Sequence, residues 1–313
     1  MNWKIKAIIQ KILASLPHGD KLNHLPVKQQ KKYHENVFKY QFLECVRKLN
    51  LTQLDLNNKK LKALEIGTGF SIISPITLSL LGFNEIVTVD ITEDINFNDF
   101  KKQIRFIYLP EIMSILIEKS TYSLDELNFK IETIEHSNNF EDLFKLCNIS
   151  YIPNYKLPDI DSLGITFDYI FSQVVLEHIS PENLHLLFSN FKTWLAPTGI
   201  SVHTINFIDH FANPGFFQDK NISEFNFLRY SENYWEFWSG NSIAYTNRLC
   251  HQYYLELCQQ LNYRTVLFNG ENYRPHKHLE ERKIHNDITS KYLSKINLSD
   301  LQKFQRGTLI IKN

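Results

Sequence analysis

Leu61-Lys62-Ala63-Leu64-Glu65-Ile66-Gly67-Thr68-Gly69-Phe70-Ser71 is the stretch on which the reading of this chain turns. An apolar, strand-like run ends in an acid, two glycines follow two apart, and a helix-like segment continues from Ser71 to Leu81 before Gly82. Glycines at 67 and 69 let the backbone turn tightly and let a ligand approach the main chain without a Cβ in the way. A second run, Glu85-Ile86-Val87-Thr88-Val89-Asp90, ends in a carboxylate about twenty residues further on, where nucleotide-binding α/β folds place an acid against ribose hydroxyls. The two runs together read as a site for an adenosine-bearing ligand.

The next small residue narrows the ligand. A dinucleotide fingerprint, Gly-x-Gly-x-x-Gly/Ala, needs a small side chain at position 72, and Ile72 stands there. No Gly-Lys-Ser/Thr follows, so a phosphate-cradling P-loop is excluded for this segment. What remains resembles motif I, Glu/Asp-x-Gly-x-Gly-x-Gly, of the class I S-adenosylmethionine-dependent methyltransferases, with Ser71 at the third glycine. The run from Thr166 to Ile179, with Phe167-Asp168 at its start and Leu176-Glu177-His178 near its end, is similar to the same family's motif IV region. Leu195-Ala196-Pro197-Thr198-Gly199-Ile200 is similar to its Leu-Lys-Pro-Gly-Gly turn, departing at Ala196 and Thr198. The resemblance is specific from about residue 60 to 206 and continues to 313 only as a pattern of elements.

Strands alternating with helices predict an α/β fold: a doubly wound, mainly parallel sheet, seven-stranded and Rossmann-like if the resemblance holds. The expected strands are Ala63–Ile66, Ile86–Asp90, Ile149–Ile152, Asp168–Ser172, Ile200–Ile205, Tyr263–Phe268 and Gly307–Ile311. Helices are expected over 3–16 and 28–50, through most of Ile91–Asn148, from Ser180-Pro181-Glu182 to about Leu195, and over Asn247–Leu261. Residues 1–58 then form an N-terminal helical extension and 59–313 the methyltransferase domain, with a Pro- and Asp-containing loop over Pro153–Gly164. The segment from Asn206 to Tyr245, rich in Phe, Tyr and Trp and without regular periodicity, is expected to be an aromatic insertion after the fifth strand. It serves as a lid on the acceptor pocket or as a hydrophobic cap on the core.

Composition is that of a soluble globular chain: 313 residues, 43% hydrophobic and 22% charged. Lys+Arg and Asp+Glu are 34 each, so no net field favours nucleic acid, and RNA methylation is a minority reading. Cys45, Cys147, Cys250 and Cys258 are scattered, which argues against a zinc site or a disulfide framework and for a reducing, cytoplasmic setting. Lysines interrupt residues 3–16, so no signal peptide or membrane span is expected there. Ile5, Ile8, Ile9, Ile12 and Leu13 share a face of a helix that packs on its own domain or attaches to a membrane surface or partner.

The resemblance implies S-adenosylmethionine as cofactor and assigns roles. Backbone N–H groups of Gly67, Thr68 and Gly69 would meet the methionine part, with Glu65 behind them orienting the loop or reaching the ammonium through water. Asp90 would accept both ribose hydroxyls, Ile91 would lie against adenine, and Ser172 and Gln173 would face the methyl centre. The loop from Tyr151 to Tyr155 would edge the adenine. Candidate bases for an acceptor hydroxyl are His178, Asp209 and His210, with His203 a strand-interior alternative. No metal is expected, because a Glu-x-x-Glu-His set would need an acid where Val174 stands, and a hard cation would lack that oxygen. The implied function is O-methylation of a small molecule or a sugar or glycan precursor. A non-catalytic cofactor-binding module supporting a partner enzyme is the alternative, and a nicotinamide oxidoreductase is disfavoured by Ile72.

Overall fold

The computed structural model describes residues 1–58, 60–156, 164–215, 217–291 and 297–313. Most of the loop expected over Pro153–Gly164, together with Lys59 and Phe216, lies outside the described residues.

Among the described residues seven strands form one sheet: β1 (Lys62–Ile66), β2 (Glu85–Val89), β3 (Ile149–Ile152), β4 (Phe167–Gln173), β5 (Leu195–Asn206), β6 (Thr265–Glu271) and β7 (Arg306–Lys312). Their order is β3-β2-β1-β4-β5-β7-β6. β1 pairs parallel with β2 (Leu64 opposite Val87) and with β4 (Leu64 opposite Ile170), and β2 pairs parallel with β3. β1 and β2 are buried over their last four residues, and β4 over all but Asp168, as strands covered on both faces must be. Strand order reverses between β1 and β4, because the chain steps outward through β2 and β3 before returning to the far side of β1.

The sheet is parallel through β3-β2-β1-β4 but not purely parallel throughout. The Gln305 N–H donates to the Glu271 carbonyl, so the start of β7 lies at the end of β6. The Phe207 N–H donates to the Gln305 carbonyl, so the start of β7 also follows the end of β5. β7 therefore runs against both neighbours. Between β6 and β7 the described residues hold only two short 3₁₀ turns and one short helix, with no long crossover helix, and β7 returns as an antiparallel strand.

The helices are α1 (Trp3–Ala14), α2 (Gly19–Lys28), α3 (Tyr33–Asn50), α4 (Ile73–Leu81), α5 (Phe97–Ile104), α6 (Pro110–Lys119), α7 (Leu124–His136), α8 (Phe140–Cys147), α9 (Pro181–Trp194), α10 (Glu232–Ser239), α11 (His251–Gln260) and α12 (Asn286–Lys291). Sequence periodicity missed α2, whose start has His18 in the left-handed region and no side-chain cap. Ser180 accepts from the Asn183 N–H and Pro181 opens α9, as the sequence signals. Ser123 and Glu126 close a capping box at α7.

The chain divides into two compact units, and the division does not follow the expected boundary at residue 58. One unit holds residues 30–173 and 189–202, with β1–β4 and α3–α8; the other holds residues 1–29, 174–188 and 203–311, with α1, α2, α10, α11 and β6. In the second unit the aromatic segment makes a core: Phe211, Phe225, Phe227 and Trp235 are buried with Trp3, Ala7 and Leu301. Among its described residues the segment carries a 3₁₀ turn, Asn226–Arg229, and α10, which no periodicity announces.

Candidate functional site

The turn after β1 is held from below. Glu65 is buried, and its Oε2 accepts the Thr88 hydroxyl at 2.6 Å. With that hydrogen directed at Glu65, Thr68 donates to Thr88, also at 2.6 Å. Glu65 thus ties to the turn through Thr88, and burial pushes its carboxyl up from 4.5.

Gly67 and Gly69 have φ of +84° and +62°, where any side chain would be strained. Nothing lies within 4 Å of a Cβ built on Gly69, so the space above it is open. The three loop N–H groups, however, are engaged at home. Gly67 and Thr68 donate to the Val89 carbonyl at 2.8 and 3.3 Å, and Gly69 donates to Asp90 Oδ2 at 2.7 Å. They do not stand free for the methionine part of a cofactor.

Asp90 follows β2 and is partly exposed. Its Oδ1 accepts from both the N–H and the hydroxyl of Thr92 at 3.0 Å, while Oδ2 holds Gly69. A carboxylate offers about four lone-pair positions. One is left here, so binding both hydroxyls of a ribose requires release of a Thr92 bond. Ile91 projects outward, 73% exposed, an apolar surface beside the acid. The Tyr155 N–H donates to the Asp90 carbonyl at 2.8 Å, which draws the chain after β3 to this edge.

Ser71, at the third glycine position, is buried and donates to Gln103 Oε1 of α5 at 2.8 Å. Gln103 Nε2 is buried and lacks a partner.

At the end of β4 the structure corrects an expectation. Gln173 does not present its amide outward: Oε1 accepts from Lys48 Nζ at 2.7 Å, and Nε2 donates to the Tyr40 hydroxyl at 2.6 Å. Lys48 also donates to the Ser172 carbonyl at 3.1 Å. Desolvation lowers the Lys48 ammonium's pKa, and Glu65 opposes that shift. Sequence reasoning passed over Lys48. The available signal was its register, three residues after Cys45 and ten after Phe38 on the buried face of α3.

In the other unit, Glu177, His178 and His210 each bring a ligand atom within 4.8 Å of the others. The His178 Nδ1 lies 2.8 Å from the Tyr245 carbonyl, which can only accept; this fixes the proton on Nδ1 and leaves Nε2 as a lone pair. The two imidazole rings stand 4.8 Å apart, edge to face. Desolvation lowers both, His210 to about 3, so both are neutral at pH 7. Glu177 Oε1 accepts the Asn206 N–H at 3.3 Å, Oε2 is buried without a partner, and burial raises the carboxyl to about 8. Two neutral imidazoles offer lone pairs here, and with the Glu177 carboxyl ionised the three are a donor set that a borderline cation such as zinc accepts. The sequence objection concerned a hard cation, and Val174 indeed adds no oxygen. Val174 instead has φ of +50°, a strained conformation for a β-branched residue, at the turn that leads from β4 to Glu177.

Asp209 does not join His210. It is fully buried, Oδ1 accepts the Phe211 N–H at 2.8 Å, and Oδ2 accepts Asn226 Nδ2 at 3.3 Å. Burial raises its carboxyl to about 7. Its bonds serve the local turn. His203 is buried within β5, 6.1 Å from the Phe188 ring. All four cysteines are buried and unpaired.

Fold and turn together define a doubly wound α/β protein with an open glycine turn at the carboxyl edge of its sheet. Solved structures that this chain resembles include methyltransferases. They include the plantazolicin methyltransferase BpumL in complex with S-adenosylhomocysteine (11% identity, 99% of this chain and 96% of that one, TM-score 0.44). The methyltransferase domain of bacterial CtHen1 is similar at 12% identity, over 88% of this chain and 100% of that one, with a TM-score of 0.40. Haemonchus contortus phosphoethanolamine N-methyltransferase 2, in complex with S-adenosyl-L-methionine, is similar at 12% identity over 90% of this chain and 58% of that one, with a TM-score of 0.42. No family model and no curated protein matches the chain. Likenesses this distant say nothing of an acceptor.

Proposed function

We propose that this chain binds S-adenosylmethionine and transfers its methyl group to a hydroxyl of a small molecule or of a sugar or glycan precursor. The observation that carries the reading is Asp90 after β2, bonded to Gly69 across an open turn at the reversal of strand order. Ligands of open α/β sheets bind at that place. Glu65, Gly67, Thr68, Gly69, Asp90, Ile91 and Ser172 are assigned to the cofactor, with Lys48 and Gln173 fixing the strand end beside it. When bound, the cofactor supplies an electrophilic methyl group for in-line displacement. The acceptor's proton is assigned to His178 Nε2, whose lone pair the Tyr245 carbonyl secures. Residues 206–245, which bring His210, are assigned to the acceptor side.

The test is S-adenosylhomocysteine release with a panel of sugars, nucleotide sugars and phenols. His178→Ala is expected to lower kcat about 10²–10⁴-fold while leaving S-adenosylhomocysteine affinity unchanged. Cofactor binding without turnover across the panel would favour the non-catalytic module. Unchanged kcat in the variant would remove His178 as the base.

A further inference from the structure

α1 is turned inside out. On a helical wheel Ile5, Ile8, Ile9, Ile12 and the following Leu16 fall within about 100° of arc, a stripe that ordinarily faces a core. Here those five side chains are between 42% and 56% exposed, and Leu22 and Leu25 of α2 are exposed as well. The buried face is the poorer one: Trp3, Ala7 and Gln10.

The helix is also pinned against rolling over. The Trp3 ring lies 5.4–5.7 Å from the rings of Phe211, Tyr230, Trp235 and Trp238. The Trp3 N–H donates to Asp219 at 2.9 Å, Lys6 Nζ to the His210 carbonyl at 3.2 Å and Lys11 Nζ to the Phe237 carbonyl at 3.0 Å. Phe237, 60% exposed beneath Lys11, extends the apolar surface.

Charge names the occupant. Residues 1–32 hold seven lysines (4, 6, 11, 21, 28, 31 and 32) against one acid, Asp20. The remaining 281 residues hold 27 basic and 33 acidic groups, so a neutral chain carries its positive excess on the segment with the exposed isoleucines. An outward Ile/Leu stripe accompanied by the exposed Lys21, Lys31 and Lys32 fits the interface of an anionic bilayer, with the stripe at acyl depth and those three ammonium groups among the phosphates, while Lys6 and Lys11 hold the helix inward. We propose that α1 and α2 dock this protein on an anionic membrane surface. Among the described residues no helix is long and apolar enough to cross a membrane, and docking needs none. The proposal is independent of the methyl-transfer reading.

Co-sedimentation of the full chain with vesicles tests it. Phosphatidylcholine vesicles containing 30% phosphatidylglycerol are expected to bind the protein, pure phosphatidylcholine to bind at least tenfold less, and 0.5 M NaCl to release most of it. Ile9→Ser with Ile12→Ser is expected to cut binding to the anionic vesicles at least fivefold with circular dichroism unchanged, since both sites are exposed. Lys21→Gln with Lys31→Gln and Lys32→Gln tests the charge alone and should weaken binding without altering the fold. No binding to anionic vesicles, or equal binding by the isoleucine variant, overturns the proposal. So does a concentration-dependent dimer in sedimentation velocity that the isoleucine variant abolishes, because a second copy would then cover the stripe.

Discussion

Asp90 and Glu177 are held by opposite devices: one is a half-solvated carboxylate already committed to amides, the other a buried acid with one oxygen short of a partner. Asp90→Ala removes the acceptor for Gly69 and Thr92 as well as for a ribose. S-adenosylhomocysteine affinity is therefore expected to fall by roughly 1.5–3 kcal/mol per charge-assisted bond lost, measured by calorimetry on a folded variant. Unchanged affinity would take Asp90 out of the site. Glu177 has a folded pKa of about 8 against an ordinary 4.5, so the unfolded chain releases this proton first. Its contribution to stability is whole below about pH 4.5 and is lost as pH rises through 8. Glu177→Gln keeps the shape and cannot ionise. Urea unfolding is expected to show a shallower loss of stability between pH 5 and 8 in the variant, by roughly 2–4 kcal/mol over the interval. Parallel pH profiles would mean that Glu177 is ionised in the native state, as a bound cation would make it.

At the scale of elements, site geometry depends on how strands end. β1 ends in glycines, and that ending is written in sequence. β4 ends at Val174 in the left-handed region, which no residue preference announces. Such a conformation costs a β-branched residue about 1–2 kcal/mol. Val174→Gly relieves it but gives the unfolded chain about 0.4–1 kcal/mol of added freedom. The unfolding free energy is accordingly expected to stay level or rise by up to ~1 kcal/mol. A loss above that range would show that the Val174 side chain contributes more by packing than its backbone costs. α3 makes the complementary point: Lys48 fixes the β4 end through Ser172 and Gln173, a bond set visible only once helix and strand are side by side.

For the whole molecule, ligand linkage separates the functional classes. A ligand that binds only the folded chain stabilises it by about 2.7 kcal/mol at one hundred times its Kd. S-adenosylhomocysteine is expected to raise the midpoint of thermal unfolding, and NAD at the same concentration to leave it unchanged. The reverse result would return the chain to the nicotinamide class that Ile72 disfavours.

The sequence by itself determined the α/β alternation, all seven strands to within a few residues, the glycine turn, and the acid at the end of β2. These are local: period-2 and period-3.6 burial, and backbone angles open to glycine, act within a few residues of chain. Tertiary structure alone decided the reversal of β7, the retreat of Asp209 into a turn and the pairing of His178 with His210. It also turned Gln173 towards Lys48 and the isoleucine face of α1 outward. Each of these depends on which partner occupies the other side of a side chain, and partners tens to hundreds of residues away leave no mark on local periodicity. Trp3 shows the physical reason: its contacts with Phe211 and Trp235 fix the roll of α1, and with it the side the isoleucines must face.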